Sequence, residues 1–248
     1  MSTGTLTFDG YNSLTDFGVY ISGPGVHNAA EADVTAYQIP GRNGDLIISN
    51  NRYKNIEVTY PAFIAHGFAA KEQAVRNWIK RAVNYRELSD TYDPTHFRKA
   101  RPTGELEFSP VRPDGANFEI VFDCDPRRFL LAGETDETFT NDVWSDTNPT
   151  GFTAKPLVFL QDIASGLTLD FYDDESGRTI TLTATAAHVG VIVIDCETQD
   201  IYDDNTLDNL NTLFTLSGDF PELGGGFNSV TIAGTYSVAI IRPRWWEL

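Results

Sequence analysis

Two acidic stretches bring this sequence nearest to a site for chemistry: DCETQDIYDDNTLDN at 195–209 and the triplet Asp173-Asp174-Glu175. Closely spaced carboxylates can ligate a hard cation through oxygen, or divide into the acid and base of a glycosidase. Neither arrangement is spelled out. The run at 195–209 lacks the Asp-x-Asp-x-Asp-Gly spacing and distal Glu of a calcium loop. The triplet lies between two alternating apolar segments, where a hairpin turn holds its carboxylates in water. Both read as solvated acidic loops. The sequence contains no G-x-S-x-G, H-E-x-x-H, P-loop or dinucleotide fingerprint. Cys124 and Cys196 each end an apolar strand (FEIVFDC and VIVIDC). Cysteine there behaves as a small hydrophobe, so buried free thiols are expected, with a disulfide or metal site as the alternative. His27, His66, His96 and His188 are scattered and complete no standard zinc spacing. No catalytic residue, metal ligand or cofactor site is expected.

Charge divides the chain. The formal net charge is −17. Residues 1–130 carry 14 Lys/Arg against 16 Asp/Glu, a net of −2, whereas residues 131–248 carry 4 against 19, a net of −15. Such a break predicts two domains, 1–130 and 131–248, with the polar stretch LAGETDETFTNDVWSDTNPT as a linker holding an edge strand near Val143–Trp144. It also argues against a nucleic-acid binder, which would show a basic stripe. The start MSTGTLTFDG has no signal region and no segment approaches 18 apolar residues, so a soluble, cytosol-made chain without membrane insertion is expected.

The elements that position these residues are mainly β. In QIPGRNGDLIISNNRYKNIEVTY (38–60) the pattern predicts a meander: a strand, a Pro40–Gly41 turn, a strand at Leu46–Ser49, an Asn50–Asn51 turn and a third strand. There Ile56, Val58 and Tyr60 alternate with Glu57 and Thr59. Other expected turns are SGPG (22–25) and RPDG (112–115). One helix is expected at 69–84, AAKEQAVRNWIKRAVN. Ala70, Ala74, Val75, Trp78, Ile79 and Ala82 form its apolar stripe, with Lys80 and Arg81 in its last turns. In the second half Leu167, Leu169 and Phe171, the turn DDESG, then Ile180 and Leu182 predict a hairpin. At least six strands there indicate a sandwich or barrel.

Exposed turns and terminal aromatics supply the candidate interface residues: Arg42, Asn43, Asp45, Arg52, Arg127, Arg128, Arg244, Trp245 and Trp246. Trp and Arg are favoured interface anchors. The pattern leaves open whether the Trp pair packs on this chain or on a partner.

Several segments together resemble the distal tail (Dit) proteins of long, flexible-tailed bacteriophages. They are IPGRNGDL with NIEVTYPAFI, AAKEQAVRNWIKR, YRELSDTYDPTHFRKAR and FEIVFDCDPRRFL. In the second half they are NPTGFTAKPLVFL, VIVIDCETQDIY, LSGDFPELGGGFNSV and IRPRWWEL. They span nearly the whole chain and consist of turn and strand residues. The resemblance implies an N-terminal β-barrel or sheet domain with one helix that assembles as a homohexameric ring. From the ring projects a C-terminal galectin-like β-sandwich. The ring would join the tail tube protein to the tail-associated hub protein at the virion tail tip, after assembly in the host cytoplasm. The tape measure and receptor-binding proteins are further implied partners. DNA would pass through the lumen without specific binding, repelled by acidic groups. A near-neutral first half suits closure of a ring. A lectin-like carbohydrate-binding module is the second reading, with Trp144, Tyr172 and Tyr202 as its aromatic platform. Residues 131–248 leave no room for the carbohydrate-binding insertion of some members. A tail-associated glycosidase using Asp173 or Asp174 is the third.

Overall fold

A computed structural model describes residues 3–23, 25, 28–111 and 114–248 of the 248-residue chain. His27 and parts of the expected turns at 22–25 and 112–115 lie outside the described residues. The chain is mainly β and divides into two compact units, Met1–Arg128 with Leu248, and Phe129–Glu247.

The first unit contains β1 (Thr3–Gly4), β2 (Leu6–Phe8), β3 (Tyr11–Asn12), α1 (Ser13–Phe17), β4 (Val19–Ser22), β5 (Ala32–Tyr37), β6 (Leu46–Tyr53) and β7 (Ile56–Ile64). These are followed by α2 (Phe68–Arg81), β8 (Arg86–Asp90), β9 (Asp93–Thr103), β10 (Phe108–Val111) and β11 (Gly115–Leu130). Its main sheet runs β1-β4-β7-β11-β9-β8-β2-β3, with β10 also on β11. Only Thr5 separates β1 from β2, so one N-terminal segment pairs with both ends of the sheet and curls it round. The backbone of Thr5 is fixed at this junction: its N–H donates to Thr91 Oγ1 and its carbonyl accepts from the Thr91 N–H.

β7 shows why the curl is stable. Ile56, Val58, Tyr60, Ala62 and Ile64 are buried while the residues between them face outward. Phe118, Ile120, Phe122 and Cys124 on β11 pair with Ala62, Tyr60, Val58 and Ile56, so two alternating strands present one apolar face. α2 covers this core with Val75, Trp78 and Ile79, and the Trp78 indole N–H donates to the Phe8 carbonyl. Ala70 and Ala74 are exposed, so the helix buries a narrower stripe than its spacing predicts, and it ends at Arg81. Lys80 and Arg81 do occupy the last turn. The five-residue α1 is additional to the one expected helix. Asn12 Oδ1 caps it by accepting from Leu14 and Thr15 N–H, and Gly18 ends it at φ 67°.

The second unit is a sandwich. Its strands are β12 (Glu137–Thr138), β13 (Val143–Asn148), β14 (Leu157–Ile163), β15 (Thr168–Asp173), β16 (Arg178–Ala184), β17 (His188–Asp195), β18 (Asp200–Asp203), β19 (Phe214–Leu216), β20 (Gly226–Ala233), β21 (Val238–Arg242) and the two-residue β22 (Trp246–Glu247). One sheet runs β12-β21-β14-β17-β18 and the other β13-β20-β15-β16-β19. The expected hairpin is β15–β16, in register from Thr168↔Thr183 to Asp173↔Arg178. The stretch at 131–150 is part of the sandwich and not a linker. β12 pairs with β21 and β13 forms a sheet edge on β20. Phe139 and Trp144 enter the core while the polar residues between them face out. Cys124 and Cys196 are buried free thiols, and burial pushes the Cys124 thiol up to about 12.

Candidate assembly surface

The sequence-predicted meander divides in a way that matters for function. β5 and β6 pair with each other alone, while β7 leaves to join the main sheet between β4 and β11. Pro40–Gly41 is a turn, with Gly41 at φ 81° and the Arg42 N–H on the Ile39 carbonyl. Asn50–Asn51 is not one. Both residues lie inside β6, where Asn51 takes φ 53° at an irregularity of the β5–β6 register. An Asn tolerates this left-handed conformation, so the bulge absorbs what the dipeptide suggests is a reversal.

A two-stranded ribbon with no packed face is marginal by itself in water. This one exposes apolar side chains on both faces. Val34, Tyr37, Ile39, Leu46, Ile47 and Ile48 are all exposed, Ile47 to 56%. Exposed apolar surface and open strand edges of this kind are what protein contacts commonly cover. The candidate residues Arg42, Asn43, Asp45 and Arg52 lie on this ribbon and are exposed. Arg52 Nε contacts Asp33 Oδ2 at 2.6 Å, and this hydrogen bond is the main reason the Asp33 carboxyl titrates below its ordinary value. Arg52 thereby clamps the two strands. Arg42 and Asp45 stand at the tip.

A second feature of the same unit is a groove of about 620 Å3 on the outward side of β4, β7, β10 and β11. Pro61, Phe63 and Val121 give it an apolar floor, with Phe63 stacked on Tyr20 at 5.2 Å. Glu105, Glu107 and Glu119 stand exposed around it.

The other candidates lie elsewhere. Arg127 folds back on Asp125 at 3.0 Å, and Arg128 lies 3.7 Å from Asp93. Arg244 bonds Asp195 at 2.8 Å from a backbone at φ 61°. Trp245 belongs to the core of the sandwich, 2% exposed, and cannot anchor a partner. Trp246 is half-buried, stacked on Phe152 at 4.6 Å and donating to the Thr153 carbonyl. Trp245 therefore serves the packing of its own unit. Alternation did not expose this, because the segment IRPRWWEL has no clean period.

The three aromatic residues expected as a lectin platform do not share one exposed sheet face: Tyr172 on β15 and Tyr202 on β18 belong to different sheets. Trp144 is buried with its indole N–H on Glu137, and Tyr172 bonds Asp174. The acidic triplet organises its own turn: Asp173 accepts from the Glu175 and Ser176 N–H groups, and Glu175 from Gly225 N–H. In the 195–209 run, Asp203 accepts from the Thr206 and Asn205 N–H groups and contacts His188 Nε2, and chiefly the two backbone hydrogen bonds hold its carboxyl below the ordinary range. No helix among the described residues is long and apolar enough to cross a membrane.

No family model matches the chain, and no curated protein matches it. Solved structures do. The SPP1 Dit protein, described as a paradigm of the hub adsorption apparatus in phages infecting Gram-positive bacteria, superposes with a TM-score of 0.73 at 12% identity. The match covers 99% of each chain. A chain of the phage P2 baseplate in its activated conformation with Ca matches at TM-score 0.58 and 9% identity over 97% of both chains. The same baseplate with Sr gives 0.54 and 10% over 96%. At these identities the likeness is one of fold, and the chain has, over nearly its whole length, the fold of the SPP1 Dit protein.

Proposed function

We propose that this chain is a structural protein of a phage tail tip that acts as a ring-shaped adaptor. Six copies close through residues 1–130, and residues 131–248 form a galectin-like sandwich outside the ring. The ring joins the tail tube to a tail-associated hub, and receptor-binding proteins dock at its periphery. DNA passes through the lumen without specific binding, repelled by the acidic chain. The protein does no catalysis.

The observation that carries this reading is the ribbon 32–53. It is an apolar, two-faced element that its own chain does not cover, in a molecule whose fold follows tail-tip proteins from end to end. The nearly neutral charge of residues 1–130 supports it, because copies can meet there without strong repulsion. Native mass spectrometry of the purified chain, with negative-stain imaging of the same sample, tests it. Six-fold mass and ring-shaped particles are expected. A monomer at all concentrations and salt strengths would overturn the adaptor reading. A net basic lumen in the assembled ring would overturn the proposed passage of DNA.

A further inference from the structure

We propose that the β5–β6 ribbon of one copy docks in the groove between β4, β7, β10 and β11 of the next copy. The proposal rests on the ring reading and names its contact. The groove is mixed, an apolar floor within a polar and acidic rim, and the ribbon can meet both with its apolar side chains and Arg42. The ribbon offers Tyr37, Ile39, Leu46 and Ile47, and the groove receives them on Pro61, Phe63 and Val121. At the ribbon tip stand Arg42 and Asp45, and Arg42, three residues ahead of Asp45 on the turn, has no ion-pair partner among the described residues and is free to meet carboxylates. Around the groove stand Glu105, Glu107 and Glu119, and these also have no cation partner among the described residues.

Geometry favours another copy as the occupant. The eight residues of β6 span about 26 Å at ~3.3 Å per residue, long enough to carry the tip away from its own sheet. Donor and acceptor are different surfaces of one chain, so every copy gives one ribbon and receives one. That is a head-to-tail contact, the kind that closes into a ring when the rotation allows. Long-range attraction between Arg42 and the three glutamates fixes the register, and the apolar faces then exclude water.

Charge reversal tests the contact in the full-length protein. R42E and the double variant E105K/E107K should each assemble at least tenfold more weakly than the wild type by native mass spectrometry, with unchanged circular dichroism and Tm. Mixing the two variants should restore six-fold particles containing three copies of each, since every ribbon in an alternating ring then meets a groove of opposite charge. The triple variant on one chain should also restore the ring. Wild-type rings that persist in both variants would overturn the docking and leave the adaptor standing. A wild-type chain that never assembles would overturn both.

Discussion

A Cβ placed on Gly133 would lie 2.4 Å from the backbone nitrogen of Trp245. The contact is part of a clasp in the second unit. Arg244 N–H donates to the Gly133 carbonyl at 2.7 Å, and Leu130 N–H donates to the Trp245 carbonyl at 2.9 Å. Backbone is therefore pressed against backbone, and no side chain can give way. Gly133→Ala is expected to destabilise the sandwich by about 1–3 kcal/mol, the usual cost of forcing a methyl into a filled space. A lowered denaturation midpoint would show it, and an unchanged one would mean that the clasp is loose.

The two terminal tryptophans should separate under mutation. Trp245 is almost wholly buried in the sandwich core, so Trp245→Ala is expected to cost ~3–5 kcal/mol, the range for large aromatic truncations. Trp246 is only half-buried, and Trp246→Ala should cost less than half as much. Chemical denaturation of both variants checks the order. Equal costs would place Trp246 in the core as well.

The difference between these residues shows where sequence patterns lose resolution. Period-two alternation in β7, β11 and β15–β16 translated directly into buried and exposed faces, because each strand has one face on a core. Helix α2 was legible from Val75, Trp78 and Ile79. The pairing of strands was less so. IISNNRY reads like half of a meander, yet β6 pairs only with β5 because β7 finds better burial between β4 and β11. Local pattern reports which residues want burial, and tertiary competition decides where. The polar stretch at 131–150 showed its edge strand near Val143–Trp144, which is β13, but hid β12, since a two-residue edge strand buries too little to leave a pattern. α1 was missed for a similar reason. Its start and stop, Asn12 and Gly18, are visible, but five residues give no helical period. Of the candidate residues, Arg42, Asn43, Asp45 and Arg52 share one exposed ribbon, whereas Trp245 is core, because residue type alone does not report burial.

Acid should weaken the first unit through two carboxylates. Burial alone would raise the Asp93 carboxyl, but hydrogen bonds from His96 and Thr95 outweigh it and hold the group below its ordinary 3.8. Burial likewise opposes ionisation of Asp125, and the hydrogen bonds from Arg127 overcome it. A carboxyl whose folded pKa lies below its unfolded value stabilises the fold fully above the unfolded value. As pH falls past 3.8, the unfolded chain takes up protons first, and the stabilisation is lost as pH falls through the folded value. Tm is therefore expected to hold at neutral pH and drop below about pH 4. Asp93→Asn and Asp125→Asn should each lower Tm at neutral pH and flatten the acid limb. A limb as steep in both variants as in the wild type would assign acid sensitivity to other groups.

The ribbon makes the sharpest separation between folding and assembly. Ile47 is 56% exposed and the ribbon packs on no core, so its side chain contributes little to the stability of a single copy. Ile47→Asp should then leave the unfolding free energy of the monomer within about 0.5 kcal/mol of the wild type, as for other surface changes. The same change places a carboxylate in the middle of the proposed contact, opposite a groove that already carries three. Desolvating an unpaired charge there costs several kcal/mol, enough to dissolve the assembly. Mass photometry across a concentration series reads assembly, and thermal denaturation under dissociating conditions reads the fold. Loss of both together would show that the ribbon is part of the folding unit. Loss of neither would show that it faces solvent in the assembled particle.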